Sequence, residues 1–197
     1  MFNYIQGKID EATPAYAVID CNGVGYLLEI SVNTYTQIKD LNEVRLLVHE
    51  VIREDAHLLF GFYDESERTM FRLLLGVNGV GVATARIMLS TLTVQELHDA
   101  IVQQNARTVQ AVKGIGAKTA QRIILELHDK VGESLSVDSS SLPELATTNQ
   151  RLNEASAALQ MLGFAKPTVE KTIATLGKQM PDASVEDLIK QALHMMS

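Results

Sequence analysis

Apolar and polar positions alternate in short bursts over the first third of the chain and recur at helical spacing over the rest. The runs at 4–9, 16–21, 25–30, 44–52 and 57–62 are each short enough for a strand and are separated by turn residues. Asn22-Gly23 lies between the second and third, and its tolerance of positive φ suits a tight hairpin. Five short strands in so little chain fit a small closed barrel of the OB type; a five-stranded open sheet satisfies the same pattern.

The period changes at Asp64. Asp64 and Glu67 form a capping-box pair ahead of Met70, Phe71, Leu74 and Leu75, and Thr93 and Glu96 repeat it ahead of Leu97, Ala100 and Ile101. Residues 64–131 therefore read as helices with short glycine-containing connections. Residues 132–149 have linker composition, with a Ser run and a Pro, and read as flexible. Beyond them Leu152, Ala155, Leu159 and Leu162 predict a helix closed by Gly163. Lys166-Pro167 opens a second helix, and Ser184 with Asp187 caps a third. The expectation is an α+β multidomain protein: an OB-like barrel (1–63), an all-α segment (64–131), a linker (132–149) and a small three-helix bundle (150–197).

The all-α segment contains an internal repeat. Asn78-Gly79-Val80-Gly81 is followed four residues on by Ala85, and Lys113-Gly114-Ile115-Gly116, thirty-five residues later, is followed by Ala120 at the same distance. Each copy sits between two predicted helices, which is the helix-hairpin-helix pattern. The glycines let the backbone turn tightly and approach another group closely. The hairpin N–H groups, with the start of the following helix, make a partly positive site suited to a phosphate. Such a site reads no base edges, so binding would be independent of sequence. Lys113, Lys118, Arg86 and Arg122 are near enough to add salt-dependent phosphate contacts. The same glycines would also serve an αα-hairpin repeat that needs only close helix packing.

Composition changes this picture in a few places. Hydrophobic residues make up 46% of the chain and Trp is absent, so the cores rest on aliphatic side chains. The formal net charge of −7 argues against a nucleic-acid partner until it is divided along the chain. Residues 1–64 hold four Lys/Arg against ten Asp/Glu, residues 65–133 eight against seven, and residues 134–197 five against seven. The repeat thus lies in the segment with the most cations, and its backbone amides supply positive potential of their own. Cys21 is the only cysteine and reads as a small hydrophobe. The first residues have no leader-like pattern and no stretch is apolar enough for a membrane span, so a cytoplasmic protein is expected.

Two chemistries drop out. Gly114-Ile115-Gly116-Ala117-Lys118-Thr119 resembles a nucleotide-binding loop, but that pattern needs Gly directly before Lys and Ala117 intervenes. No ATP hydrolysis is expected of this chain. His49, His57, His98, His128 and His194 have no metal-ligand spacing, so neither metal nor other cofactor is expected.

The order of parts resembles the bacterial RuvA family over essentially the whole chain. The resemblance is carried by Gly23-Val24-Gly25-Tyr26, Arg53-Glu54-Asp55-Ala56, Leu58-Leu59-Phe60-Gly61-Phe62, Glu67-Arg68, both glycine hairpins, and Ala157-Ala158-Leu159 with Leu162-Gly163-Phe164. It implies a non-catalytic homotetramer, or an octamer on DNA, that holds an open four-way (Holliday) junction in recombination and repair. It also implies that Glu54 and Asp55 form an acidic pin at the crossover, where carboxylates would repel phosphates and keep the arms apart. From the residues alone the same stretch is a charged hairpin turn. By the same resemblance the last domain is similar to a ubiquitin-associated bundle. It docks onto the RuvB ATPase through Leu159, Leu162 and Phe164, and RuvC resolvase joins the larger complex. The bundle's own core is the other place for those three side chains. The family often carries Lys where this chain has Ala83 and Ala117, so phosphate contacts are expected to be fewer or redistributed.

Two other classes fit helix-hairpin-helix chemistry. A glycosylase or nuclease would need a catalytic carboxylate, for which Asp129 is the candidate. An interaction scaffold would use the C-terminal bundle and leave residues 64–131 without DNA affinity.

Overall fold

The computed structural model describes residues 1–134, 143–181 and 183–196, in two compact units, Met1–Val137 and Asp138–Ser197. The first begins with β1 (Tyr4–Ala12), β2 (Tyr16–Cys21), β3 (Val24–Ile30), helix α1 (Val32–Ile38), β4 (Glu43–Ile52) and β5 (His57–Phe62). The strands close into a barrel in the order β1-β2-β3-β5-β4, which settles the choice between barrel and open sheet and leaves no exposed edge. Alternation puts Ile5, Ala17, Ile19, Leu28, Ile30, Val44, Leu46 and Val48 inside, and Ile38 of α1 joins them. Asn22 and Gly23 both take positive φ in the β2–β3 turn, as Asn-Gly predicts. The parallel seam is short: β3 meets β5 through Glu29–Phe60 and Ile30–Gly61, whereas β4 and β5 pair from Leu47–Phe62 to Ile52–His57.

Helices α2 (Glu65–Leu75), α3 (Val82–Thr91), α4 (Val94–Val102), α5 (Ala106–Gln110) and α6 (Ala117–Ser134) follow. Strand gives way to helix at Asp64, but the hydrophobic core runs across that boundary. Phe71 of α2 packs against Phe60, Phe62 and His49 of the barrel wall, at ring separations of 5.2, 5.0 and 5.5 Å. Phe60 and Phe62 share one cluster with Leu74, Met88, Leu97, Ile123 and Leu127. Barrel and hairpin helices are thus one packed body.

Both capping predictions place a helix start, with one difference. Thr93 and Glu96 form the full reciprocal box. Asp64 accepts from the Glu67 N–H, but the Glu67 side chain does not return the bond. It is 3% exposed and accepts from Ser31 Oγ and Thr34 Oγ1 of the α1 turn. Burial pushes its carboxyl above the usual value; the two hydroxyl bonds oppose that shift and Asp64 adds to it.

The second unit is a bundle of α7 (Pro143–Met161), α8 (Lys166–Gln179) and α9 (Val185–Met196) around Ala155, Leu159, Val169, Ile173, Leu176, Leu188 and Ala192. The predicted linker, 132–149, is in part helical. Helix continues to Ser134 and resumes at Pro143, so only 135–142 of it lie outside the described residues. Pro suits the first turn of a helix, where its missing N–H is not needed, and Glu, Leu and Ala follow it.

Candidate nucleic-acid interface

The two glycine hairpins have the same local geometry. In the first, α2 ends at Gly76 and Val77–Val80 make a four-residue turn closed by Val80 N–H on the Val77 carbonyl at 3.0 Å. In the second, Val112–Ile115 make the matching turn, with Ile115 N–H on the Val112 carbonyl at 3.1 Å. The third residue of each is the glycine that must be there: Gly79 has φ +93° and Gly114 φ +91°, as a type II turn requires. The next glycine starts a helix, and the carbonyls of Gly81 and Gly116 accept from Ala85 and Ala120, both at 2.9 Å. Val77, Val80 and Ala85, like Val112, Ile115 and Ala120, are buried and pin each loop to the core.

What remains outside is backbone. A Cβ built on Gly79, Gly81, Gly114 or Gly116 would meet nothing within 4 Å, so the space over both loops is open. No side chain caps α3 at Gly81. Its first-turn N–H groups have no partner within the helix and face an entering anion with the positive end of the helix dipole. Exposed Ala83 and Ala117, the two positions at which phosphate contacts were expected to be lost, leave the amides unobstructed but add no charge.

The predicted site residues divide into three groups. Asn78, Gly79, Gly81, Lys113, Gly114 and Gly116 are exposed on the two loops, and Lys118 is exposed in the first turn of α6. Val80 and Ile115 offer only main chain, since their side chains are buried. The two arginines are already engaged. Arg86 pairs with Glu29 of β3 at 2.7 Å and donates to the Ala15 carbonyl at 3.2 Å, so it faces the barrel and not the loops. Arg122 donates to the Asn78 carbonyl at 3.1 Å and lies 3.9 Å from Glu126. Lys113 and Lys118 have no ion-pair partner among the described residues. Lys118 lines a shallow depression with Gln121, Arg122, Leu125 and Glu126.

Glu54 and Asp55 stand exposed at the tip of the β4–β5 hairpin, which Arg53 N–H closes on the Ala56 carbonyl at 2.8 Å. Below the tip His57 Nε2 lies 2.6 Å from Glu50 Oε1. That bond, more than any other contact, holds the Glu50 carboxyl below its ordinary value. Asp129 is 97% exposed, with its Oδ1 3.1 Å from His128 Nδ1.

Residues 1–61 match the family model of the RuvA N terminal domain, 71–129 that of a SAM-like helix-hairpin-helix tandem, and 150–197 that of the RuvA C-terminal domain. Proteins named Holliday junction branch migration complex subunit RuvA align along almost all of the chain. That of Bacteroides thetaiotaomicron is 46% identical over 198 residues, covering 98% of each protein. That of Christiangramia forsetii is 43% identical over 193 residues, again 98% of each. The Parabacteroides distasonis protein is 46% identical over 197 residues and covers all of both. The chain belongs to the RuvA family.

In the C-terminal bundle Leu159, for which a partner surface and the bundle's own core were both open, takes its place in the core and is fully buried. Gly163 at φ +98° turns the chain back, with Phe164 N–H on the Leu159 carbonyl at 3.2 Å and Gly163 N–H on the Gln160 carbonyl at 3.0 Å. This Schellman closure folds Phe164 over the core that Leu159 occupies. Leu162 is turned outward, 62% exposed, beside Met161 at 90%, a residue that helical spacing alone did not single out. Among the described residues no helix is long and apolar enough to cross a membrane.

Proposed function

We propose that this chain is the non-catalytic DNA-binding subunit of a branch-migration complex. It binds four-way junctions by structure, independently of sequence, in the cytoplasm. The observation that carries this is the pair of matched hairpins, each with open space over two glycines and unpaired amides at a helix start, in a member of the RuvA family. Each hairpin holds one phosphate of a DNA arm through main-chain N–H groups, with Lys113 and Lys118 adding long-range attraction. The exposed carboxylates of Glu54 and Asp55 act at the crossover, where their charge keeps phosphates apart.

A homotetramer arranges four such subunits around the four arms, and an octamer closes over both faces. The bundle of residues 150–197 docks the RuvB motor through the exposed Met161-Leu162 edge, with Phe164 supporting it from the core, and RuvC resolvase shares the assembly. ATP hydrolysis belongs to the motor.

The test is a competition gel shift at two salt concentrations, with a labelled four-way junction against excess linear duplex of the same base sequence. Preference for the junction that weakens with salt is the expected result. Equal binding to both would reduce the chain to a general duplex binder, and no binding at low salt would leave the repeat as a packing device.

A further inference from the structure

The two hairpins are alike in backbone but differ in one bond. The central peptide of the first turn carries the Asn78 carbonyl and the Gly79 N–H. A trans peptide is planar, so these two groups point in opposite directions. Type I and type II turns differ mainly in a half-rotation of this peptide. Arg122, on the helix after the second hairpin, donates to the Asn78 carbonyl at 3.1 Å. Holding that carbonyl toward α6 also aims the Gly79 N–H the other way, and Gly79 meets this orientation at φ +93°.

The second turn has no such bond. Its corresponding carbonyl belongs to Lys113, which accepts no hydrogen bond from another described residue. The thirty-five-residue offset maps Arg122 onto Ile87, a 42% exposed side chain with nothing to donate. The tie is therefore one-way, from the second repeat to the first.

We infer that Arg122 is a positioning residue. It locks the central peptide of the first hairpin so that the Gly79 N–H is preset for a phosphate oxygen, while the second hairpin is left to adjust on binding. This rests on the reading of the hairpins as phosphate sites given above. Preorganisation removes the cost of ordering the turn when DNA arrives. Glu126, 3.9 Å away, offsets part of the guanidinium's charge, so Arg122 acts through Asn78 more than as a free cation.

The experiment uses full-length Arg122→Ala and Arg122→Lys proteins. Residue-resolved hydrogen exchange without DNA is paired with junction affinity over a salt series and thermal melting. Val80 is the reporter, because its N–H closes the first turn, and Ile115 is the internal control in the second. In Arg122→Ala, Val80 should exchange about tenfold faster with Ile115 and the melting temperature unchanged. Junction affinity should fall about tenfold with the same salt slope. Lys, which keeps a donor on a long stem, should restore both readings together.

Unchanged Val80 protection with a salt slope smaller by about one would make Arg122 an ordinary phosphate ligand and overturn the inference. Faster Val80 exchange with unchanged affinity would leave the Arg122–Asn78 bond standing. It would remove the first hairpin from the phosphate sites, and the positioning role with it.

Discussion

Arg86 Nη1 lies 2.7 Å from Glu29 Oε2, tying the helix after the first hairpin to the third barrel strand. Both side chains are about 30% exposed, so the pair contributes less than about 1 kcal/mol. Arg86→Ala should lower stability by no more than that in urea titration. It should also leave the salt slope of junction binding unchanged, because this cation is not on the loops. A slope reduced by about one would put Arg86 back among the phosphate ligands.

Glu67 and His49 oppose each other in their pH dependence. The folded state raises the Glu67 carboxyl above its ordinary 4.5, so its share of stability falls as pH rises through that window. It lowers His49 below 6.5, chiefly by burial and then by Arg72 and Arg68, so that share is lost as pH falls from 6.5. Glu67→Gln should remove the first slope and reveal the second as a steeper loss of stability on acidification below 6.5. Glu67→Ala, which strands two hydroxyl donors, should cost about 1–3 kcal/mol at neutral pH. A Gln variant with the wild-type pH profile would show that Glu67 does not titrate differently on folding.

The two glycines of the first hairpin should fail for different reasons. Gly79→Ala forces a Cβ into positive φ and should cost about 1–2 kcal/mol of stability. Gly81 has φ −93°, which alanine accepts, so Gly81→Ala should cost under about 1 kcal/mol. Its methyl nevertheless stands where the phosphate would come, and junction affinity should fall at least about tenfold. Wild-type junction binding by Gly81→Ala would mean that no group approaches this backbone.

Leu159 and Leu162 separate folding from docking. Leu159→Ala should cost about 2–5 kcal/mol in the C-terminal unit. Leu162→Ala should change stability by less than about 0.5 kcal/mol yet weaken capture of the RuvB motor. Full motor binding by Leu162→Ala with Met161→Ala would move the docking surface elsewhere.

Much of the fold was legible because local signals and tertiary packing agree. The five apolar runs became the five barrel strands, and the repeat spacing became two turns of equal geometry. Signals failed where a partner distant in sequence decides. Helix α1 is a β-branched stretch, Val32-Asn33-Thr34-Tyr35-Thr36, held in part by Asn33 Nδ2 on the Leu89 and Leu92 carbonyls. Glu67 has the spacing of a capping box, but Ser31 and Thr34 offered its carboxylate better donors inside. The directions of Arg86 and Arg122 depend on Glu29 and Asn78, far away in the chain, and no spacing rule reaches that far.

The short β3–β5 seam bears on how the chain comes off the ribosome. The barrel closes there through Glu29–Phe60 and Ile30–Gly61 alone, and each side is braced from outside: Phe60 by Phe71, Glu29 by Arg86. Both braces are translated after the last barrel strand. A nascent chain that ends after β5 lacks both braces, so closure of the barrel is expected to await the helices that follow.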